Sequence, residues 1–559
     1  RDTDRSRGLG DVYKRQAMAS LLLMTLSGCS QDKSFFDNVS EINDIINDFV
    51  WMKIGLYLLL GTGIIMTLVN KFFQITHIKH WMKMTIGKMF HKSVKGHSHH
   101  DKASITQFQA LCTALAATVG VGNIAGVASA IVSGGPGAVF WMWIAAIVGM
   151  MTSYSENVLG IYYRKKNADG EWSGGAMYYL RDGLGAKKNC KTLGKVLAIL
   201  FAIFTIFASF GIGNMGQVNK IVANLEGAFK IEALSNISIL GTDLYKIIIG
   251  LVIMIIAGLI IIGGIKRIAI FAEKVVPFMV CFFIVASLIV IGVNYSQIGN
   301  AFTAIFKFAF SPNAAWGGAV GLTISQVITL GFKRGVFSNE AGLGSSVMVN
   351  SNSNVQEPAR QGFWGIFEVF VDTIIVCTMT ALVILTSGVI ELNTGKLAEG
   401  TTGDATLVAK AFDSVFSIGG INIGSMFIAI AIFLFAFTTV LGWSHYGTKA
   451  WEFLFGVKST FAYRIFFVFI IIFGAVMTSS LAWDISDTFN GMMMIPNLVG
   501  VIVLSPAVYK ITKNYKDRVL KHKDIKPMLS NDPEIQKEQE EILKLSLIHI
   551  SEPTRPISI

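Results

Sequence analysis

Ala116-Ala117-Thr118-Val119-Gly120-Val121-Gly122-Asn123-Ile124-Ala125-Gly126 interrupts a long apolar run at residues 106–132. Gly120, Gly122 and Gly126 fall within seven residues, and each costs a helix about 1 kcal/mol relative to alanine. The helix is therefore weakest at its midpoint. Two readings are open. Small residues let helices pack closely, or the chain unwinds and its freed carbonyls and N–H groups hold an ion or a carboxylate. Thr118 and Asn123 place side-chain oxygens beside the weak point, which favours the second.

The rest of the chain sets this run in a membrane. Its 559 residues are 52% hydrophobic and 15% charged, with a mean hydropathy of +0.56. Soluble domains carry roughly 25% charged residues, and a soluble fold this apolar would expose large greasy patches. Disorder is excluded for the same reason, and five cysteines are too few for a disulfide scaffold. The net charge of +11 sits in short loops, so it signals topology rather than nucleic acid.

Eleven apolar runs are long enough to cross, near 50–71, 106–132, 137–162, 195–219, 244–264, 269–293, 315–333, 361–386, 422–446, 461–480 and 489–509. None alternates like a barrel strand, so the spans are helices. The loop at 71–102 holds seven lysines, among them Lys71, Lys83 and Lys95, against Asp101. Basic residues also follow each later odd-numbered span: Arg164 to Lys166, Lys266 with Arg267, Lys333 with Arg334, Lys449 with Lys458, and the tail from Lys510 to Lys526. The alternate loops are neutral or acidic, as with Glu391, Glu399, Asp404 and Asp413. The positive-inside bias then predicts an outside N-terminus and an inside C-terminus.

Both ends read differently from the body. Residues 1–16 and 546–559 resemble translated adaptor sequence and are excluded from the fold. Residues 17–29 read as a signal-peptide-like segment ending in Leu26-Ser27-Gly28-Cys29, a lipobox-like pattern, too short to span. The transporter-like body is 50–513, and 514–545 is a basic cytoplasmic tail. Six of the nine histidines lie in the first basic loop, including His97, His99 and His100, without a cysteine or carboxylate ligand pattern. Cys112, Cys281 and Cys377 fall in apolar spans and Cys190 in a loop, and read as reduced cysteines.

Ionisable residues inside spans are functional candidates by default. Asp372 is the strongest, a mid-span carboxylate able to face a cation, with Glu368 one turn before it on the same face. Glu273 lies within or at the edge of a span. Glu156 and Glu340 read as gate or helix-capping residues near the surface, ion-paired with loop cations. Thr438, Thr439 and Trp443 lie in the ninth span; the hydroxyls either serve a site or bond their own helix, and the tryptophan either serves it or lies at the interface.

The segments GVGNIAGVASAIVSGGPGAVFWMWIAAIVGM (120–150), GEWSGGAMYYLRDGLG (170–185), GVFSNEAGLGSS (335–346) and RQGFWGIFEVFVDTIIVCTMTALVILTSG (360–388) resemble the sodium:alanine/glycine symporter family of the amino acid–polyamine–organocation superfamily. The resemblance runs from about Val50 to Lys513. Ala176 stands where the family often has Pro, and the lipobox-like start is outside the family pattern. The resemblance implies an all-α polytopic fold of about eleven helices. An extra N-terminal helix would precede a five-plus-five inverted repeat with broken helices, about 106–293 and 315–509. It implies sodium-coupled symport of a small neutral amino acid, alanine or glycine, by alternating access, in the bacterial or archaeal cytoplasmic membrane. Sodium is the cofactor expected; the partners are the amino acid, sodium and the bilayer.

Carried over residue by residue, Thr118, Gly120, Gly122 and Asn123 match the first broken helix. Gln217 matches a substrate-contacting glutamine. Thr438 and Thr439 match hydroxyls at a sodium site, and Trp443 a substrate border. Backbone and small polar contacts are expected near Thr323, Ile324 and Gln326. The substrate set is thus Thr118, Gly122, Asn123, Gln217, Thr323, Ile324, Thr439 and Trp443. The sodium set is Gly120, Asn123, Asp372, Thr438 and Thr439. Proton coupling, with serine or glutamine as substrate, is the alternative within the same fold. No HExxH, GxSxG or P-loop pattern is present, so metalloprotease, serine-hydrolase and ATP-driven chemistry lack their residues. A channel would need a filter of rings or loops, which suits an interrupted helix less well than alternating access.

Overall fold

The structure, a computed structural model, describes residues 35–89, 104–229, 237–239, 242–311, 323–477 and 481–551. The adaptor-like start, the signal-like segment with Cys29, the histidines at 97–100 and residues 552–559 lie outside them.

The described chain is almost wholly helical, as lipid demands of a backbone that must bond within itself. The principal helices are α1 (Asp37–Val69), α2 (Gln107–Thr118), α3 (Ala125–Gly134), α4 (Gly137–Tyr163), α5 (Lys191–Phe229), α6 (Leu244–Ile261), α7 (Gly264–Val293), α8 (Ile324–Asn339), α9 (Pro358–Thr386), α10 (Ile423–Phe455), α11 (Val457–Val476), α12 (Leu481–Val503), α13 (Ser505–Leu520) and α14 (Pro533–Ser551). Three two-residue hairpins are the β-structure of the described residues.

Among the described residues, eight helices are individually long and apolar enough to cross a membrane. α12 and α13, bent by 58° at Leu504, are long and apolar enough as a pair. The two remaining expected spans are the interrupted ones. The run at 106–132 is split into α2 and α3 around a single 3-10 turn, Val121–Asn123. The expected span at 315–333 lies later: α8 starts at Ile324, ends at Asn339, and is followed after a break by a short helix, Val347–Asn350.

This shift corrects two readings. Lys333 and Arg334 lie within α8, not in a loop after it. Lys333 pairs with Asp487 at 3.3 Å and lies over the Trp51 ring. The basic residue that does follow the second break is Arg360, at the start of α9.

The interior is built from α4 against α8 and α9, and from α5 against α10 and α12, with α2 held between α7 and α10. Large apolar side chains on α6, α7 and α11 face outward, among them Leu259, Phe278 and Phe473, where a bilayer takes the place of a protein core. Cys281 is on this outward face, whereas Cys112 and Cys377 are buried; these three and the half-buried Cys190 form no disulfide among the described residues.

Candidate functional site

α2 opens with a capping box, Thr106 with Gln109, and runs to Thr118. Gly120 is fully extended, at φ −132° and ψ −153°, so the helical ladder stops. The lost bonds are partly replaced locally: the Gly120 N–H donates to Asn123 Oδ1 at 2.9 Å. Asn123 is thus a clasp across its own break. Its amide donates outward to Asp372 Oδ1 at 2.7 Å, and its carbonyl accepts from the Thr380 hydroxyl at 2.7 Å. Both partners lie on α9.

The second break has the same chemistry by other means. α8 ends at Glu340, whose backbone is left-handed at φ 55°, and Gly342 and Gly344 follow at φ 95° and 74°. Such angles suit glycine, and a Cβ would collide at either position, 2.5 Å from Leu59 at Gly342 and 2.7 Å from Asn497 at Gly344. Ser338, at the end of α8, donates to Asp372 Oδ2 at 2.8 Å. Asn339 donates to Thr373 at 2.9 Å. Asp372 therefore holds both broken helices, and Thr373 adds a third donor, the second hydroxyl, to its carboxylate at 2.8 Å.

The two breaks also approach α10 and α5. A Cβ on Gly120 would stand 2.6 Å from Thr439 Oγ1 and 3.7 Å from Gln217 Oε1. A Cβ on Gly122 would stand 3.3 Å from the Phe337 ring. Gln217 donates its amide to the Ile212 carbonyl at 3.1 Å, while its Oε1 is buried without a hydrogen-bond partner. That orphan oxygen is an acceptor beside the first break, and an unmet buried acceptor is costly. Trp443 is fully buried and donates its indole N–H to Glu340 Oε1 at 2.9 Å. Gly213 on α5 is what lets the Trp443 ring in, since a Cβ there would collide at 2.4 Å.

Several expected residues are placed elsewhere. Thr323 caps α8 at its start and is exposed, and Ile324 is 45% exposed. A 16-residue helix is about 24 Å long, so both stand far from the breaks. The reason is the position of the second interruption, at 340–346 rather than near 323. Gln326 serves the Thr323 capping box. Thr438 and Thr439 both donate to the Phe435 carbonyl of their own helix, at 2.9 and 3.0 Å. Thr438 then faces Met279 on α7, and of the pair it is Thr439 that lies against Gly120. Thr118 likewise bonds its own helix, to Ala114 at 3.3 Å.

The acids need the larger correction. Glu156 and Glu340 are 1% and 4% exposed, and among the described residues neither forms an ion pair with a loop cation. Glu156 accepts from Asn497 at 2.5 Å, Asn497 also reaches the Gly342 carbonyl at 2.9 Å, and Tyr179 donates to Asn497. Glu340 accepts from Ser345 at 2.5 Å. Glu368 meets Asn350 at 3.4 Å and lies within electrostatic reach of Glu340, Asp372 and Glu156. Four buried carboxylates thus gather around the breaks, with neutral donors as their hydrogen-bond partners among the described residues. They do not form a shared ligand set: among the described residues no three His, Cys, Asp or Glu side chains converge as metal ligands. A hard cation here would draw on backbone carbonyls and hydroxyls with one carboxylate at most.

A cavity of about 200 Å³ reaches Gly122 from one side, lined by Ser129, Lys220, Arg334, Phe337 and Asp404. Asp404 caps the helix Ala405–Asp413. Burial alone would raise its carboxyl. Hydrogen bonds from Thr406 and Thr402, with Lys220 nearby, outweigh that and hold it below the usual carboxylate range. On the opposite side the breaks are covered by the Glu156–Asn497–Tyr179 chain. Beyond that chain, Arg164 bonds the carbonyls of Ser351, Ser353 and Val355. The signals that could have revealed Glu340 were its flanking Gly342 and Gly344, the same glycine signature read at 120–126.

The sodium:alanine symporter family model matches residues 36–529, nearly the whole described chain. The chain belongs to this family. Its relatives include the sodium/alanine symporter AgcS of Methanococcus maripaludis, 42% identical over 486 residues that cover 86% of this chain and 98% of the relative. The amino-acid carrier protein AlsT of Bacillus subtilis is 34% identical, covering 91% of this chain and 100% of its own. A third, described as "Probable sodium/glutamine symporter GlnT", also of Bacillus subtilis, is 36% identical over 85% of this chain and 91% of its own. Among solved structures, MhsT in complex with L-phenylalanine is a distant likeness, with a TM-score of 0.47 and 14% identity over 73% of this chain and 98% of that one. Membership makes this sodium:alanine symporter family chain a multi-pass membrane transport protein and not an enzyme.

Proposed function

We propose that the protein couples sodium entry to uptake of a small neutral amino acid, alanine or glycine, by alternating access. The observation that carries this reading is the meeting of Gly120, Gln217, Thr439, Trp443 and Glu340 at two helix breaks joined through Asp372. A zwitterion needs donors for its carboxylate; the Asn123 N–H is taken by the Gly120 carbonyl at 3.2 Å, so the donors expected are the other backbone N–H groups of the break around Gly122. Its ammonium needs acceptors, and the orphan Gln217 Oε1 and the Glu340 carboxylate are the buried acceptors at hand. Its short side chain meets Trp443. Sodium is a substrate in this scheme. Buried carboxylates without cationic partners are costly, and a cation that arrives with the amino acid offsets that cost. The expected coordinating atoms are the oxygens of Gly120, Asn123, Thr438, Thr439 and Asp372; Gly120 and Asn123 lie in the first break, and Thr439 and Asp372 reach it from other helices.

The alternation of basic loops places α1 entering from outside and α13 ending inside, in the cytoplasmic membrane. The cavity beside Asp404 is then the outside mouth. α2 to α7 and α8 to α12 form the two inverted halves. Uptake of a labelled amino-acid panel into proteoliposomes, with and without a sodium gradient, tests the reading. Sodium-dependent accumulation of alanine or glycine supports it. Accumulation driven by a proton gradient alone replaces sodium with protons on the same carboxylates, and preference for glutamine or serine moves the substrate.

A further inference from the structure

A second cavity, of about 240 Å³, lies at the opposite end of the molecule from Asp404, where α1 ends at Asn70 and α13 runs out at Lys521. Lys71, Lys513, Lys516, Lys521 and Lys523 line it, against the carboxylate of Asp517. Asp517 already pairs with Lys521 and Lys523, at 3.0 and 3.5 Å. Among the described residues Lys71, Lys513 and Lys516 form no ion pair. The geometry is held in place: Lys71 and Phe72 both have left-handed backbones, at φ 56° and 55°, fixed by bonds from their N–H groups to Leu68 and Thr67. Non-glycine residues adopt such angles at a cost, and consecutive ones are uncommon.

Asn70 lies in the same cavity and is 4% exposed. Its amide donates to the Met66 carbonyl at 2.9 Å, which fixes the orientation of the group. Its Oδ1 is left buried with no hydrogen-bond partner. The cavity therefore presents ammonium groups that want an anion and one acceptor that wants a hydroxyl.

The adjoining segment shows where such a ligand comes from. From Phe72 to Met84 the chain buries Phe73 and Trp81 and turns Phe72, Ile75 and Ile78 outward, each at least 45% exposed. An apolar face lies beside a basic pocket at the end of two membrane helices. That is the arrangement of a surface that meets headgroups and upper acyl chains.

We propose that this cavity binds the headgroup of an anionic phospholipid bearing a hydroxyl, of the phosphatidylglycerol class. Its phosphate sits among Lys71, Lys513 and Lys516, and its glycerol hydroxyl donates to Asn70. The test follows the thermal unfolding of the purified full-length chain in detergent as short-chain phosphatidylglycerol, phosphatidic acid, phosphatidylcholine or inorganic phosphate is added. A saturable rise in Tm is expected with phosphatidylglycerol and not with phosphatidylcholine. K71Q/K513Q/K516Q lowers the apparent affinity at least about tenfold, since each lysine near an anionic lipid contributes about 1 kcal/mol. N70L weakens phosphatidylglycerol while leaving phosphatidic acid unchanged. K71Q alone, with an unaltered lipid-free Tm, gives a partial loss if the triple variant folds poorly. K187Q/K188Q, at another basic loop, responds as the native chain. Equal responses of the triple variant and the native chain overturn the proposal. So does inorganic phosphate giving the full shift at the same concentration, which would make the site one for a free anion.

Discussion

Trp443 and Glu340, 103 residues apart in sequence, are joined by an indole N–H to carboxylate hydrogen bond of 2.9 Å in the buried centre of the molecule. The bond ties α10 to the second helix break and sets a bulky ring beside a charged acceptor. Truncating Trp443 to Ala removes both the wall and the donor. Alanine or glycine uptake should weaken, and longer neutral amino acids should become competitors. Glu340→Gln keeps the wall and removes the charge; half-maximal uptake should then need on the order of 10- to 100-fold more substrate, the scale of a lost charged hydrogen bond. A competition profile that both variants leave unchanged places the pocket elsewhere.

Gly120→Ala should stop transport although it adds a single carbon. The new Cβ would stand 2.6 Å from Thr439 Oγ1, closer than such contacts occur, so the Thr439 hydroxyl would be pushed from its place beside the break. Gly61→Ala on α1 meets nothing within 4 Å and should be silent or slightly stabilising, because alanine is the better helix former. Comparing uptake and surface expression of the two variants separates a loss of transport from a loss of folding.

Sodium dependence should respond unequally across the expected ligands. Asn123→Leu, Thr439→Val and Asp372→Asn remove oxygens at the breaks and should raise the sodium concentration for half-maximal uptake by tenfold or more. Thr438→Val should do less, since Thr438 is turned toward Met279. Sodium titrations of uptake read this directly. If all four variants keep native sodium dependence, the ion is not bound here.

Acid should loosen the segment Ile78–Met84. His80 is held below its usual pKa by burial first, and then by His77, Arg360, Lys83 and Lys88. A lowered folded value means the unfolded segment binds the proton more readily. The contribution is therefore intact above the unfolded value of about 6.5 and is lost as the pH falls through it. Hydrogen exchange of this peptide should speed up between pH 7.5 and 5.5 in the native chain and change less in His80→Gln.

Topology can be checked by labelling single cysteines in intact cells. A cysteine at Lys396 should react with an impermeant reagent from outside, and one at Lys79 should not. The reverse pattern inverts the molecule.

The fold was largely legible because lipid removes choices: apolar runs of this length have few structures other than helices. The first break was legible because its glycines stand in an apolar run beside Asn123, and the structure gives every polar atom of Asn123 a use. The second break was misplaced because Lys333 and Arg334 look like the end of a span. Both are half-buried; Lys333 pairs with Asp487 and Arg334 opens on the cavity that Asp404 also lines, and neither arrangement has a local signal in the chain. Glu340 was hidden for a related reason. Its partner Trp443 comes from another helix, and a glutamate among glycines reads equally well as a surface cap. Thr323 and Ile324 were drawn into the site only by that misplacement.

Asp372 accepts from Asn123 on one broken helix and from Ser338 on the other, and it makes α9 a crossbar between two joints. Sliding the first joint past α9 alone would strand Asp372 Oδ1 in a dry interior, at about 1–3 kcal/mol, whereas sliding the second would leave Oδ2 with Thr373 as its donor. Two motions escape that toll. The joints can swing as one rigid frame with α9, or an ion can step in as a replacement partner at the moment a bond opens. Either way, what happens at one joint is felt at the other through a single carboxylate.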